Sequence, residues 1–254
     1  MYYVGIDIGS TATKVAIFKE DELIETKLMK TGWSSVETAR EIEENLNSKG
    51  IVKENRKVVA TGYGRISVPY ADKLITEITC HGKGAAYLIK DDCTVVDIGG
   101  QDTKIILVED SMITNFIMND KCSAGTGRFL EIMANTLAVD IKELCELAAK
   151  GKDSGITISS MCTVFAESEV ISLIGKGEKK ESIAFAIVDS IVNKVASLCN
   201  KFDGSKPYCL TGGLSNEQYI VDRLSDVLER EVVTDKLAHY AGAIGAALLS
   251  KNIR

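Results

Sequence analysis

One short pattern occurs twice in this sequence, and it constrains the fold more than any other feature. Residues 7–14, Asp-Ile-Gly-Ser-Thr-Ala-Thr-Lys, resemble residues 97–104, Asp-Ile-Gly-Gly-Gln-Asp-Thr-Lys. Each copy follows one apolar stretch and precedes another, which is the pattern of two strands joined by a glycine-containing turn. Two such β-hairpins in one chain predict two copies of a single α/β unit.

The remaining apolar periodicities fit this plan. Strands are predicted over residues 22–30, 57–61, 112–118 and 207–211, and helices over 34–48, 123–137, 141–149, 163–174, 182–200, 216–228 and 237–249. We expect one domain over residues 1–92, completed by the last helix within 237–254, and a second domain over residues 93–236.

The overall charge excludes one broad class of function. The net charge is −6 and the pI is near 5.2, whereas nucleic-acid binding requires clustered Lys and Arg. The N-terminus has no basic region of the signal-peptide type, and no run of apolar residues is long enough to span a bilayer. The sequence therefore predicts a cytoplasmic protein that binds neither nucleic acid nor membrane.

The two hairpins have the composition of phosphate-binding loops. Turns rich in glycine, serine and threonine present backbone N–H groups and hydroxyls on one concave face, and Lys14 adds a compact positive charge. Asp7 and Asp97, each at the end of a strand, are suited to hold Mg²⁺ through water. The alternative is that each Asp-Ile-Gly is only a turn, but two matching copies favour phosphate binding. The P-loop pattern is absent from the sequence.

Two further glycine segments follow predicted strands. Gly212 and Gly213 lie between a strand and a helix, where backbone can approach a ligand closely, and we assign them to the adenosine and α-phosphate end of a nucleotide. Residues 62–65 are predicted as a turn, with a partner contact as the alternative. Residues 241–247 form a small-residue helix suited to tight packing.

The sequence has seven cysteines, and this odd number argues against a disulfide framework. No two of them form a Cys-x-x-Cys motif, so a closed zinc site or a thioredoxin-like site has no local signature. Cys122 and Cys162 are each predicted directly before a helix, where unpaired N–H groups and the dipole favour a thiolate. A four-iron cluster usually takes four thiolates, so two per chain predict a cluster shared across a two-fold axis. Spacing alone leaves the alternative of ordinary buried cysteines open. The other five are expected in core strands and helices.

The two hairpins, the Gly-Gly turn and the small-residue helix together resemble the phosphate-1, phosphate-2, adenosine and connecting motifs of the acetate/sugar kinase, actin and heat-shock chaperone superfamily. This resemblance implies an α/β fold with two ribonuclease-H-like domains and a nucleotide cleft between them.

Three longer motifs point to one family within this superfamily, and the resemblance to that family covers nearly the whole chain. Asp-Ile-Gly-Gly-Gln-Asp, Asn-Asp-Lys-Cys-Ser-Ala-Gly-Thr-Gly-Arg-Phe and Cys-Thr-Val-Phe-Ala-Glu-Ser-Glu resemble the activator component of 2-hydroxyacyl-CoA dehydratases. The wider group includes the ATPase subunits of benzoyl-CoA reductase and activators of double-cubane-cluster proteins. The resemblance implies a homodimer with one 4Fe-4S cluster held by Cys122 and Cys162, ATP in each subunit, and ferredoxin or flavodoxin as electron donor. The implied acceptor is an iron–sulfur dehydratase or reductase.

The resemblance also implies a set of nucleotide contacts. The family's contacts match Ser10, Thr11, Ala12, Thr13, Lys14, Gln101 and Gly213, next to Gly99, Gly100 and Gly212. His239 stands where the family often has Gln, so it is either a nucleotide contact or a surface residue at a helix start. Gln101 can orient the attacking water but cannot take its proton, so with Asp7 and Asp97 as the other catalytic candidates, slow hydrolysis of ATP is expected.

Two other classes of protein share the hairpins. A small-molecule kinase of the same superfamily would use the hairpins, but would leave Cys122 and Cys162 unexplained and would want a carboxylate base. A non-enzymatic nucleotide-dependent switch usually has a further substrate domain or filament surfaces, for which this chain leaves little room.

Overall fold

The computed structural model describes residues 1–151, 155–158, 162–202 and 206–253. These residues form mixed α/β structure around two five-stranded sheets. The first sheet contains β1 (Tyr2–Ile8), β2 (Ala12–Lys19), β3 (Glu22–Lys30), β4 (Arg56–Thr61) and β5 (Lys73–Leu74), and the second contains β6 (Cys93–Ile98), β7 (Thr103–Glu109), β8 (Met112–Asn119), β9 (Tyr208–Gly212) and β10 (Val232–Val233).

The two sheets have the same topology. The strand order is β3-β2-β1-β4-β5 in one sheet and β10-β9-β6-β7-β8 in the other. The first strand of each sheet is therefore central, flanked by the second strand of its hairpin on one side and by the fourth strand on the other. The prediction of two copies of one α/β unit is confirmed.

Eight α-helices lie in the described residues. They are α1 (Ser35–Ser48), α2 (Glu77–Ile89), α3 (Gly127–Thr136), α4 (Ile141–Lys150), α5 (Thr163–Gly175), α6 (Lys180–Cys199), α7 (Gln218–Leu228) and α8 (Ala241–Ser250), and 3-10 turns occupy Lys53–Asn55, Arg65–Ser67 and Ala238–Tyr240.

The chain divides into two compact units. One comprises Met1–Val95, Ile106–Phe116 and Asp235–Arg254, and the other comprises Val96–Ile105 and Ile117–Thr234. The core of the second unit includes Phe129, Leu130 and Met133, which lie on one face of α3 at helical spacing. The division at residues 1–92 with 237–254 and at 93–236 stays a prediction.

Close backbone contacts hold α8 against the first sheet and α2 against α8. A Cβ atom on Gly5 of β1 would lie 1.9 Å from the carbonyl oxygen of Ala243, and one on Gly84 of α2 would lie 1.9 Å from that of Ala241. A Cβ on Gly245 of α8 would lie 1.8 Å from the carbonyl oxygen of Cys80. Because no side chain fits in these gaps, glycine is required at all three positions.

Most predicted elements agree with the structure to within two residues, but one helix begins later than predicted. The helix predicted over residues 123–137 is α3, which begins at Gly127. Gly125 has a φ of +87°, outside the helical region, and Thr126 is an extended N-cap residue with φ −123°. The positive φ ends any helical path through Ser123 and Ala124, so Cys122 lies before a turn and not directly before a helix.

The last helix also differs from the prediction over residues 237–249. It begins as the 3-10 turn Ala238–Tyr240 and continues as α8 from Ala241.

Helix α2 has no counterpart among the predicted elements. It begins after Thr76, whose hydroxyl accepts a hydrogen bond from the N–H of Thr79, and it ends at Lys90 in the left-handed region. Gly82 and Gly84 lower the intrinsic helix propensity of this segment. Tight packing requires both, because a Cβ on Gly84 would meet the backbone of α8 and one on Gly82 would lie 2.7 Å from the side chain of Ile113 in β8.

One described helix, α6, is long and apolar enough to cross a membrane by length and composition alone, and 61% of its most apolar window is buried. A buried core helix passes the same test, and α6 supplies eleven buried residues to the second unit.

We expect Gly84→Ala to lower the free energy of unfolding by about 3 kcal/mol, because overpacking of this kind forces backbone to move. Gly175→Ala is the matched control, since its Cβ would meet no atom within 4 Å and should change stability by less than about 1 kcal/mol. Denaturant titration measures both values. Equal stability of the two variants would contradict the close approach of α2 and α8.

Candidate functional site

The two hairpin turns share one backbone arrangement. In the first, the N–H of Gly9 donates to the carbonyl oxygen of Ala12 at 3.2 Å, and in the second the N–H of Gly99 donates to that of Asp102 at 2.9 Å. The turn tips carry the predicted phosphate-binding residues, with Ser10 and Thr11 in one hairpin and Gly100 and Gln101 in the other. Thr11 and Gln101 are exposed and Ser10 and Gly100 are half-buried.

One predicted contact residue is turned away from solvent. The hydroxyl of Thr13 is buried and lies 2.9 Å from the hydroxyl of Thr31, which in turn donates to the carbonyl oxygen of Gly9 at 2.8 Å. Thr13 therefore stabilises the turn through its side chain, and only its backbone remains for a nucleotide contact.

The aspartate at the end of β6 has both carboxylate oxygens engaged. Thr211 donates to Oδ1 of Asp97 at 3.0 Å, and Nζ of Lys104 lies 3.2 Å from Oδ2. The same ammonium lies 2.9 Å from Asp102. Because Lys104 is buried between two carboxylates, its charge balances them and is directed into the fold.

The equivalent groups in the first hairpin are arranged differently. Lys14 lies opposite Asp7 in the strand register and is half-buried, but it forms no ion pair with any residue that the structure describes. Nε2 of His81 lies 3.8 Å from Oδ2 of Asp7. The positive charge of Lys14 is thus available to an anion, whereas that of Lys104 is not.

A second repeated element lies beside each aspartate, although the sequence predicted its two copies as unrelated turns. Gly62 directly follows the fourth strand of its sheet, Gly212 is the last residue of the fourth strand of the other, and both have a φ of +83°. A Cβ on Gly62 would lie 2.5 Å from the carbonyl oxygen of Ile8, and one on Gly212 would lie 2.4 Å from that of Ile98. The shared signal is the dipeptide Thr-Gly at the end of an apolar strand, at residues 61–62 and 211–212.

The second hairpin is hydrogen-bonded directly to the segment that contains Cys122. The N–H of Gly127 donates to the carbonyl oxygen of Gly99 at 2.8 Å, and the N–H of Arg128 donates to that of Gly100 at 2.9 Å. The hydroxyl of Thr103 donates to the carbonyl oxygen of Gly125. Three hydrogen bonds therefore join one candidate phosphate loop to the segment of one candidate cluster ligand.

The two cysteine segments also contact each other. The hydroxyls of Ser123 and Thr163 lie 2.7 Å apart, and each residue directly follows one of the cysteines. Cys162 is the N-cap residue of α5, as predicted. Asn119 donates to the carbonyl oxygens of Cys122 and Ala124 at 3.0 and 3.1 Å, which fixes the turn around Cys122.

Solvent exposure separates these two cysteines from the other five. Cys122 and Cys162 are half-exposed, and Cys80, Cys93, Cys145, Cys199 and Cys209 are buried, in agreement with the expected core positions. Burial raises the pKa of Cys80, Cys145 and Cys199 to about 12 and the pKa of Cys93 to about 11. None of the seven forms a disulfide.

The donors of one chain do not complete a metal site. No group of three or more His, Cys, Asp or Glu side chains in the described residues could hold a metal ion. Two thiols on contacting segments supply half of the four ligands that a 4Fe-4S cluster usually takes. The residues therefore fit such a cluster only if a second copy of the chain supplies the other half.

Helix α5, which follows Cys162, exposes several large apolar side chains. Phe165 is 72% exposed, Val164 is 66% exposed and Ile171 is 56% exposed. His239 lies in the 3-10 turn before α8, with its ring 5.7 Å from the ring of Tyr240. Its proposed contact with nucleotide stays a prediction.

The chain is similar along nearly its whole length to known activating ATPases. It is 45% identical over 251 residues to the (R)-2-hydroxyglutaryl-CoA dehydratase activating ATPase of Acidaminococcus fermentans, covering 98% of this chain and 96% of that protein. The solved activator of the 2-hydroxyisocaproyl-CoA dehydratase from Clostridium difficile, with bound ADPNP, is 38% identical and superposes with a TM-score of 0.90, covering 98% of this chain and 94% of that one.

The fold extends to more distant proteins. A ROK family glucokinase from Streptomyces griseus has a TM-score of 0.60 at 16% identity, with the whole of both chains covered, and this confirms the predicted actin/sugar-kinase type of fold. A family model described as the BadF/BadG/BcrA/BcrD ATPase family matches residues 4–250. The chain therefore belongs to the BadF/BadG/BcrA/BcrD ATPase family.

Proposed function

We propose that this chain is an ATP-dependent reductive activator. In this proposal, a cytoplasmic homodimer with one 4Fe-4S cluster passes a low-potential electron to a partner enzyme, such as a 2-hydroxyacyl-CoA dehydratase. The observation that carries the proposal is the direct hydrogen bonding between the second hairpin, at Gly99 and Gly100, and the Cys122 segment, at Gly127 and Arg128.

As a member of an ATPase family, the chain binds and hydrolyses ATP. We assign the nucleotide to the residues of the two hairpins and the Gly-Gly turn. These are Ser10, Thr11, Ala12, Thr13, Lys14, Gly99, Gly100, Gln101, Gly212 and Gly213, with His239 as a further candidate. The unpaired ammonium of Lys14 supports this assignment, because a compact cation at a hairpin turn suits phosphate oxygens.

The catalytic assignment is Gln101, Asp7 and Asp97. The exposed amide of Gln101 orients the attacking water. Hydrolysis of ATP is slow because the amide cannot accept a proton from that water. Asp7 is the better of the two carboxylates for the water ligands of Mg²⁺, since the oxygens of Asp97 are engaged by Thr211 and Lys104. Asp97 then acts through the hairpin that it anchors.

Cys122 and Cys162 are the proposed cluster ligands, together with the same two cysteines of a second copy. When bound, the cluster supplies a one-electron redox centre. The exposed apolar side chains of α5 support a protein contact beside Cys162, because large apolar patches on a surface mark interaction sites.

The hydrogen bonds supply a physical route from nucleotide to cysteine. A ligand that shifts the backbone of Gly99 and Gly100 must move Gly127 and Arg128 with it or break two backbone hydrogen bonds. The contact between Ser123 and Thr163 carries such a shift to the start of α5 and therefore to Cys162. ATP thus acts chiefly as a ligand that changes the position of the cysteine segments.

The partners follow from the proposed electron transfer. We propose ferredoxin or flavodoxin as the electron donor and an iron–sulfur dehydratase or reductase as the acceptor. Activation of a double-cubane-cluster protein or of a benzoyl-CoA-type reductase is the alternative within the same class, and it would use the same cysteines and hairpins.

The central experiment replaces each proposed ligand by serine. We expect Cys122→Ser and Cys162→Ser, purified without oxygen, to lose iron, sulfide and visible absorbance while ATP affinity is unchanged, because neither thiol lies in a hairpin. Cys145→Ala is the control, since Cys145 is buried and should keep the cluster. A colourless monomeric parent protein, or a serine variant that keeps its full cluster, would refute the proposal.

Alkylation tests the exposure of the cysteines independently. At about pH 8 we expect iodoacetamide to modify Cys122 and Cys162 first in the cluster-free protein, because alkylation requires an accessible thiolate. Burial raises the pKa of Cys80, Cys93, Cys145 and Cys199, so their thiols stay protonated and unmodified until the protein unfolds. Peptide mass spectrometry identifies the sites, and early modification of a buried cysteine would contradict the assignment.

The two hairpin lysines should separate binding from stability. Lys14→Met removes an available charge and should weaken ATP binding by about 10-fold or more, with stability little changed. Lys104→Met leaves Asp97 and Asp102 without their cation and should lower the free energy of unfolding by about 3–5 kcal/mol. Calorimetric titration measures ATP binding and denaturant unfolding measures stability. Loss of stability in Lys14→Met with unchanged ATP binding, or weaker ATP binding in Lys104→Met with unchanged stability, would contradict these assignments.

A further inference from the structure

We infer that His81 is a positioning residue for Asp7, and that with Gly242 it orients the Asp7 carboxylate toward the water ligands of Mg²⁺. The inference rests on the proposed role of Asp7 in binding Mg²⁺ with the nucleotide. His81 lies on α2, the helix without a counterpart among the predicted elements, and Gly242 is the second residue of α8.

The three residues are in close contact in the interior of the first unit. Asp7 is 4% exposed and His81 is 6% exposed, and Nε2 of His81 lies 3.8 Å from Oδ2 of Asp7, the outer range of an ion pair. A Cβ on Gly242 would lie 2.7 Å from both of these atoms. Any larger residue at position 242 would therefore displace the imidazole or the carboxylate.

A second glycine limits the other carboxylate oxygen. A Cβ on Gly62 would lie 2.5 Å from Oδ1 of Asp7, and Gly62 has a φ of +83°. The carboxylate is thus enclosed by two glycines and one imidazole. Such an enclosure restricts the rotation of the carboxylate about its χ2 angle, which is otherwise broad.

The comparison with Asp97 indicates why the imidazole is needed. A buried carboxylate requires a polar or charged partner, and Asp97 has Lys104 and Thr211. The equivalent residues of the first unit, Lys14 and Thr61, make no hydrogen bond or ion pair with Asp7. Within the part of the chain that the structure describes, His81 is the residue whose basic side chain lies within 4 Å of the Asp7 carboxylate, at 3.8 Å.

This arrangement leaves Asp7 able to accept further hydrogen bonds. Oδ1 of Asp7 accepts none from the described residues, whereas Oδ1 of Asp97 is taken by Thr211. Magnesium usually keeps several of its water ligands in proteins, and those waters need acceptors.

The test compares two substitutions of His81 by their effect on Mg²⁺ and on nucleotide separately. A fluorescent ATP analogue is titrated into the whole protein at increasing Mg²⁺, and again in EDTA. His81→Phe, which has the ring but no polar atom, should raise the half-saturating Mg²⁺ concentration about 10-fold, as loss of an outer-shell partner does. His81→Gln, which keeps a donor, should recover most of this loss, and binding in EDTA should be unchanged in both variants.

A double-mutant cycle decides whether His81 acts through Asp7. In an Asp7→Asn background, His81→Phe should have no further effect on the Mg²⁺ dependence, because the carboxylate that it positions is absent. Lys83→Gln on the same helix is the control and should behave as the parent. Equal shifts in the Phe and Gln variants, no shift in either, or effects that add to that of Asp7→Asn would overturn the inference. None of these outcomes depends on the cluster or on electron transfer.

Discussion

The rest of each unit is arranged around a buried carboxylate at the end of the first strand of its sheet. Asp7 and Asp97 are both buried, and each lies against a glycine with a φ of +83° at the end of the neighbouring fourth strand. A buried charge requires a partner, and the two units supply different ones. Lys104 forms an ion pair with Asp97. His81 lies beside Asp7, so Lys14 remains available to a ligand. One duplicated backbone therefore carries two different charge arrangements.

In the proposed function, this difference in charge gives the two hairpins different roles: the first binds phosphate and the second contacts the Cys122 segment. In the first hairpin, Lys14 has no ion pair with a described residue, and Oδ1 of Asp7 accepts no hydrogen bond from one. The second has its charges balanced internally, and its backbone carbonyls at Gly99 and Gly100 are bonded to the Cys122 segment. Because backbone hydrogen bonds transmit displacement without any side-chain rearrangement, the second hairpin is suited to report the presence of nucleotide to the cysteines.

The sequence predicted those features that depend on local patterns. The two hairpins, the flanking strands and most helices follow from apolar periodicity and from turn residues within a few positions of one another. Helix α2 could not be predicted in this way, because Gly82 and Gly84 are poor helix formers and are required by tight tertiary contacts, with Ile113 of β8 and with α8 respectively. His81 lies on that helix, so its proximity to Asp7 was equally inaccessible. The relation between Gly62 and Gly212 has a sequence signal, the dipeptide Thr-Gly after an apolar strand, but a two-residue pattern is too short to be recognised before the strand ends are compared in space.

Cys122 was predicted as a cluster ligand partly because a helix was expected to begin directly after it, and that expectation is wrong. It does not lie directly before a helix, since Gly125 interrupts the path to α3, and the helix dipole therefore gives Cys122 no direct support. Its position depends on the turn that Asn119 holds and on the hydrogen bonds from Gly127 and Arg128 to the second hairpin. A ligand fixed in this way is held by the same hairpin that is proposed to bind phosphate, and Cys162 is held by its own helix. The two thiols are therefore held by different elements, and the Ser123–Thr163 contact joins their segments.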